Sequence, residues 1–421
     1  MNRNRIIASA LLLSSAVVIS VTAAVEAPFT VCTWENDCKA AVSHTFDDNT
    51  AGQTGAGQQA FDAKGFKMTL FTVTGSMNPN WNNLKNAFEK GHEIASHSVS
   101  HGGTMSDNEC PTSQSTIKEK VPGEKCITVA YPNCNIPNPQ TQLQKCYIAG
   151  RICDGQIANK SPSDFYRIGA IMAGSAGTNS TSGFNSKADE AASKNGWLVW
   201  CHHGVGNDGH GYSNTNLDAL KGNLDYLDNN RSKFWTATFG SVARYIKERN
   251  AASLAVKTTA ANSITISLTD NLVDSVYDYP LTIRRPLPDG WTDAVVTQGT
   301  EEVDDTILTV DGTKIIQFKA VPDGGDIVIE SGTMVKNRAL KSANSNLLTF
   351  NNSTLSIDAA QFSGSTIAVS LFDLKGKLFA KYSVNKSASR VSVPLGAFSN
   401  SLFVAKITDG NVTVVSRCMQ Q

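Results

Sequence analysis

Ala41-Val42-Ser43-His44-Thr45-Phe46-Asp47-Asp48 reads as a mostly apolar strand that ends on two adjacent carboxylates. Downstream, His97-Ser98-Val99-Ser100-His101 spaces two imidazoles by four residues, which on one helical turn would put both on the same face. One carboxylate and two imidazoles suffice to hold a catalytic divalent cation with a position left open. The remaining carboxylate would then be placed to take a proton from water at that position.

Working outward, the pattern alternates. Residues 58–64 are helix-compatible and stop at Gly65, and 67–73 read as a buried strand. Trp81, Leu84 and Phe88 recur at helical spacing up to Gly91, and 93–95 lead as a strand into the His pair. Residues 197–201 form another strand. Leu217, Leu220, Leu224 and Leu227 make the clearest helical stripe of the chain. Residues 235–239 read as a strand before a helix carrying Val242, Tyr245 and Ile246. Strand-helix alternation predicts an α/β domain with a parallel sheet or barrel, whose chemistry sits at the C-terminal strand ends. Asp47, Asp48, His97, His202 and His203 fall there.

The order Thr45-Phe46-Asp47-Asp48, then His97-Ser98-Val99-Ser100-His101, then Trp197-Leu198-Val199-Trp200-Cys201-His202-His203-Gly204-Val205 closely resembles the polysaccharide deacetylase family, carbohydrate esterase family four. The resemblance runs from about residue 40 to 250, roughly half the chain. It implies an irregular, incomplete (β/α) barrel, and a metal-dependent hydrolase that releases acetate from an acetylated glycan. It also implies Asp48, His97 and His101 as metal ligands, Asp47 as general base and His203 as the acid toward the leaving sugar atom. Zinc is the expected metal, and cobalt or nickel would accept the same ligands. His202 competes with His203, but on an extended strand the two point to opposite faces. His44 and His92 are expected to be structural, and His210, in a Gly-rich loop, to touch only substrate.

Departures from the family pattern bear on substrate more than on chemistry. Ala130-Tyr131-Pro132-Asn133-Cys134 stands where family members often carry Arg-Pro-Pro-Tyr-Gly. Asn133 would then offer the backbone N–H for the oxyanion, and Tyr131 is grouped with it as a substrate-side candidate. The missing Arg leaves the base carboxylate to be oriented from elsewhere, with Arg151 and Arg167 as the candidates. Asn49 follows the motif where Gly is common.

The 421 residues carry 37 basic and 37 acidic side chains, so nothing points to nucleic acid, and a neutral polymer would meet no opposing charge. Residues 1–27 read as a secretory signal peptide, with Arg3 and Arg5 before a short apolar core. No other segment has a membrane-length apolar run, so a secreted or cell-surface protein is expected. Eight of the nine cysteines lie between Cys32 and Cys201, an even set that in an oxidising compartment reads as disulfides. The span 102–167 reads as a long loop on the rim of the site.

A catalytic domain over 28–250 is expected to hold all the chemistry and to fold alone. Residues 251–333 alternate with period two between turns and predict a β-sandwich module. Residues 334–421 predict a linker and a C-terminal β module, whose turn chemistry loosely resembles sorting or attachment tails read by export machinery. All seven histidines precede residue 211. The leading functional reading is release of acetate from O-acetylated, acetylxylan-type glycan. Its alternatives are N-deacetylation of chitin or peptidoglycan, and an inactive carbohydrate-binding protein.

Overall fold

The strand that ends on Asp47 is buried along its whole length, as a strand covered on both faces must be. In the computed structural model it is one of nine strands among the described residues before 250: β1 (Thr30–Val31), β2 (Ala40–Asp47), β3 (Thr69–Thr72), β4 (Glu93–Ser96), β5 (Thr128–Ala130), β6 (Ala149–Arg151), β7 (Ile171–Met172), β8 (Trp197–His202) and β9 (Phe234–Thr236). Between them run α1 (Gln58–Asp62), α2 (Trp81–Glu89), α3 (Glu109–Lys120), α4 (Leu143–Cys146), α5 (Thr181–Ser193), α6 (Leu217–Asn229) and α7 (Phe239–Ala251). The structure describes residues 29–332, then 348–351, 354–359, 362, 364–372, 378–386, 390–394, 402–409 and 413–419. The expected signal peptide, residues 1–27, and the expected linker, residues 335–346, lie outside these residues.

Strands β2 to β8 form one sheet in the order β6-β5-β4-β3-β2-β8-β7, with β9 against the first half of β2. Every pairing is parallel. Ile168 bridges to Arg151 at the end of β6 and Ile171 opens β7, so the segment between them links the two sheet edges. This is an irregular (β/α) barrel, as the alternating pattern and the resemblance imply. One face of the sheet carries Ala41, Phe71, Ala95, Ala130, Val199 and Cys201, clustered with Trp34, Trp235 and the apolar side of α7. The other carries Val42, Phe46, Leu70, Ile94, Leu198 and Trp200, clustered with Phe61, Leu84, Ile117, Phe184 and Leu224 of the surrounding helices. The period-two alternation of the strands produces this division.

Two expectations are corrected here. The span 102–167 is not one loop: it holds α3, β5, α4 and β6. Its polar composition conceals them, because α3 buries only Cys110, Ser113 and Ile117, and β5 and β6 are three residues each. The even cysteine set is not a disulfide framework either. Cys134 and Cys153 are bridged, with Cα atoms 5.7 Å apart. Cys32, Cys38, Cys110, Cys126 and Cys201 are buried thiols, and Cys146 is a half-buried one. Spacing alone cannot show which cysteines approach within bonding distance.

The chain divides into two compact units, 1–330 and 331–421. The first includes a β-sandwich of β10 (Ser253–Ala260), β11 (Ser263–Thr269), β12 (Leu281–Pro286), β13 (Ala294–Gln298), β14 (Glu301–Glu302), β15 (Asp305–Val310), β16 (Thr313–Ala320) and β17 (Ile327–Ser331). Its sheets run β1-β12-β16-β15 and β10-β11-β17-β13-β14, around Ile264, Ile266, Ile283, Ile316, Phe318 and Ile327. The second unit has sheets of order β18-β19-β22 and β21-β20-β23-β24, built from β18 (Leu348–Asn351), β19 (Thr354–Asp358), β20 (Thr366–Phe372), β21 (Leu378–Asn385), β22 (Arg390–Pro394), β23 (Leu402–Thr408) and β24 (Thr413–Met419). Leu355, Ile357, Ile367, Val369, Leu371 and Val393 lie in its core.

The sandwich is stitched to the barrel. β1 pairs with β12, so the first described residues of the barrel half complete a sandwich sheet. Glu35 receives the Tyr279 hydroxyl at 2.9 Å and pairs with Lys319 at 2.6 Å. Arg284 pairs with Asp37. The buried Glu248 of α7 accepts the Tyr279 N–H at 2.9 Å, and burial pushes its carboxyl up to about 8. A fragment 28–250 would expose Trp235, Tyr245 and Glu248 and leave β1 unpaired. It is therefore expected to melt well below a fragment 29–332, by more than about 5 °C for a loss of a few kcal/mol. Thermal unfolding of the two fragments checks this, and equal midpoints would refute the structural role of the sandwich.

Candidate active site

The inner period-two series of β2 is Ala41, Ser43, Thr45, Asp47, and that of β8 is Val199, Cys201 with His203 one step beyond. Their last members meet at the C-terminal end of the barrel. Asp48 would point away from Asp47 on a regular strand. Instead it takes φ 75°, followed by Asn49 at φ 58°, and this left-handed turn brings both carboxylates to one pocket. Asn tolerates that conformation, and Asn49 locks it by exchanging two hydrogen bonds with the Val73 backbone, at 2.9 and 3.2 Å. Gln53, also buried, donates to the carbonyls of Asp47 and His203 and ties the two strand ends together.

The His pair is not on a helical turn. Residues 97–101 form a tight loop with Ser98 at φ 69° and His101 at φ 52°. The Glu109 carboxylate accepts the N–H groups of Val99 and Ser100, at 2.8 and 2.9 Å, and the Ser100 hydroxyl. The Ser98 hydroxyl accepts the His101 N–H at 2.9 Å. The loop achieves what the helical spacing would have done, by different means: both imidazoles reach Asp48. His97 Nε2 lies 3.5 Å and His101 Nε2 3.3 Å from Asp48 Oδ1. His97 Nδ1 is held by the Ala130 carbonyl at 2.8 Å, which turns Nε2 into the pocket.

These residues fit a divalent cation. Asp48, His97 and His101 each present a ligand atom within 4.8 Å of the others, and Asp48 Oδ1 is buried with no hydrogen-bond partner. Burial lowers the His97 pKa against the opposing pull of Asp47 and Asp48, so the ring is the neutral form a metal needs. Asp47, Cys201 and His203 satisfy the same distance test. That group suits a cation less well. Burial pushes the Cys201 thiol up to about 12, and the Arg151 guanidinium already occupies Asp47.

Arg151 Nη2 lies 2.5 Å from Asp47 Oδ2, and the Arg151 side chain is almost fully buried. Burial works to raise the Asp47 pKa, but Arg151, His97 and His203 outweigh it and hold the carboxyl below its ordinary value. Asp47 Oδ1 remains buried without a partner and is the oxygen free to take a proton. His203 Nε2 and His210 Nε2 lie 3.9 and 3.7 Å from Asp48 Oδ2, on the carboxylate oxygen away from the His pair. Their rings are nearly parallel, 14° apart. His210 therefore reaches the Asp48 carboxylate itself, which its Gly-rich surroundings did not suggest.

Asn133 sits at φ 52° in the tight turn after β5, its side-chain amide within 3.4 and 3.5 Å of the Gly102 and Gly103 carbonyls. Two candidates are corrected. Tyr131 is a core residue, and its hydroxyl donates to the Tyr166 carbonyl at 3.0 Å, so it does not face substrate. Arg167 is exposed and forms no ion pair with the site carboxylates among the described residues, because the turn of 165–167 points it outward.

His202 faces the opposite side of β8, packed on Phe46 with ring centroids 4.5 Å apart. It joins His44 Nδ1 at 3.0 Å and the Thr215 hydroxyl at 2.9 Å. Burial lowers the His44 pKa to about 3 and that of His202 far below its ordinary value. The unfolded chain binds these protons near pH 6.5 while the folded chain refuses them. Stability is thus full above about pH 6.5 and falls as pH drops toward 3, by roughly 1 kcal/mol per pH unit per imidazole. Denaturant midpoints at pH 7 and pH 5 should show this loss, and a smaller one in His44→Gln. An unchanged slope in that variant would contradict the assignment.

Residues 35–132 match the family described as Polysaccharide deacetylase. The chain is 28% identical over 329 residues, 71% of its length, to a protein named Gellan lyase from Bacillus sp., and spans 13% of that protein's length. It is similar to the Xyl-CE4 domain of a multidomain xylanase from the hindgut metagenome of Trinervitermes trinervoides, at 23% identity and TM-score 0.34, over 48% of this chain and 88% of that one. A family 4 acetyl xylan esterase from Clostridium thermocellum, in complex with a cobalt ion, is 17% identical with TM-score 0.34, over 48% of this chain and 89% of that one. The matched residues 35–132 contain both carboxylates and both imidazoles, so it is the segment holding the site that is similar to the polysaccharide deacetylase family.

Proposed function

We propose that this protein is a secreted, metal-dependent hydrolase that releases acetate from an acetylated neutral glycan, with O-acetyl groups of acetylxylan type as its first-ranked substrate. The observation that supports this most is the convergence of Asp48, His97 and His101 beside an Asp47 whose free oxygen stays unpartnered. A divalent cation, with zinc first, would be held by Asp48, His97 and His101, and would supply Lewis acidity to the attacking water and to the acetyl carbonyl.

The chain's own residues divide the remaining work. Arg151 holds Asp47 Oδ2, so Asp47 stays ionised and presents Oδ1 as the proton acceptor. His203, on the other side of Asp48, hands a proton to the leaving sugar oxygen or nitrogen. The Asn133 backbone N–H is the donor assigned to the developing oxyanion. The balance of 37 acidic and 37 basic residues favours a neutral polymer over a charged one.

The missing motif Arg has a physical replacement. Ala130 on β5 and Arg151 on β6 are register partners in adjacent parallel strands. The guanidinium absent at 130 is delivered from one strand over, and the small Ala130 side chain leaves room for it.

The test is acetate release by the full chain from acetylxylan, chitin oligomers and peptidoglycan fragments, measured side by side. Release from acetylxylan is expected to be fastest. Faster release from either N-acetylated substrate overturns the substrate ranking, and no release from any of them overturns the deacetylase reading.

A further inference from the structure

Tyr212 is an exposed aromatic ring, with 52% of its surface open. It stands at the site, its ring centroid 4.9 Å from that of His203 and the planes at 85°. An exposed aromatic costs the fold burial it could have had, and the loop that carries it is far from slack. Asp208 Oδ2 accepts the Thr50 hydroxyl at 2.7 Å and the Val205 N–H at 3.0 Å, and its Oδ1 accepts the His210 N–H at 3.1 Å. Asn214 donates to the His210 carbonyl at 2.7 Å. Ser213 is buried, donating to the Ala173 carbonyl at 2.6 Å and accepting the Ala176 N–H at 3.2 Å. The backbone on both sides of Tyr212 is thus pinned while the ring itself is left in water. A rigid, exposed aromatic surface beside the proton-handling imidazole is preorganised to receive a flat apolar face.

A pyranose ring offers such a face: its axial C–H groups form an apolar surface that suits an aromatic π cloud. We propose that Tyr212 is a stacking platform for one pyranose unit of the glycan, next to the unit that carries the acetyl group, a role that rests on the deacetylase reading above. Beyond residue 250, the exposed large hydrophobics of the described residues are Val273, Val310 and Leu378, all aliphatic.

The experiment compares wild type with Tyr212→Ala, Tyr212→Ser, Tyr212→Phe and Tyr212→Trp in the full chain. Acetate release is followed on an acetylated monosaccharide, on acetylated xylotetraose and on chitotetraose. The Ala and Ser variants are expected to lose about tenfold in kcat/KM on a tetramer, mainly through KM, as one lost aromatic contact predicts. The Phe and Trp variants are expected to stay within about twofold of wild type. Loss on the monosaccharide should be smaller, so the tetramer's advantage shrinks. Whichever tetramer shows the effect identifies the glycan. Equal loss on monosaccharide and tetramer, or none on either tetramer, overturns the proposal. Calorimetric titration of unacetylated xylotetraose and of chitotetraose into the same variants separates the two readings. If wild type releases no acetate, the deacetylase reading falls, while tetramer affinity that weakens in Ala and Ser and persists in Phe and Trp still supports the platform. Affinity that is absent in wild type, or unchanged across the series, overturns it.

Discussion

Arg151→Ala is expected to remove most turnover, by about 100-fold or more, and to destabilise the fold by about 3–5 kcal/mol. Arg151 is almost fully buried and paired at 2.5 Å with a buried carboxylate. Removing one partner of such a pair leaves an uncompensated charge in the interior. Asp47 then protonates more readily, since its largest favourable influence is gone, and the acid limb of the pH–rate profile should move to higher pH. Lysine is a poor substitute, because it lacks the planar fork that meets a carboxylate. The decisive comparison is Ala130→Arg combined with Arg151→Ala. Positions 130 and 151 are register partners, so an Arg moved one strand over should recover part of the lost rate and return the acid limb toward its original pH. A double variant no better than Arg151→Ala would show that the guanidinium does more than orient Asp47.

The second large effect separates the adjacent carboxylates. Asp47→Asn is expected to keep metal and lose about 100- to 10,000-fold in rate, because it removes a proton acceptor and no ligand. Asp48→Asn and His101→Ala are expected to weaken metal binding by more than about 100-fold. Metal content after dialysis, read beside turnover, checks this. Metal loss in Asp47→Asn as severe as in Asp48→Asn would overturn the division of roles.

Much of this site was legible in the sequence because its geometry is local. Asp47 and Asp48 share a strand end, and the His pair shares a loop, so short motifs carry them. The way they meet was less legible. The helical spacing of His97 and His101 suggested a helix, whereas Ser98 and His101 bend a loop whose hydrogen bonds come from Glu109, well beyond the motif. Which arginine would reach Asp47 depended on the pairing of β5 with β6, a tertiary fact no periodicity encodes. Cys201 could have been flagged from the alternation Val199, Cys201, His203 along β8. Tyr212 could not, since a polar, Gly-rich segment gives no sign that Asp208 and Ser213 hold it still. In the fold, long apolar strands and the leucine stripe of α6 read correctly. The three-residue strands β5 and β6 were hidden by polar neighbours, and the pairing of β1 with the sandwich links segments too distant to align by inspection.

Acetate release from acetylxylan by the full chain, before chelation, after chelation and after zinc is restored, tests the central claim most directly. The account predicts release that falls to background when metal is removed and returns with about one zinc bound per chain. Release that continues undiminished in the metal-free protein would contradict it.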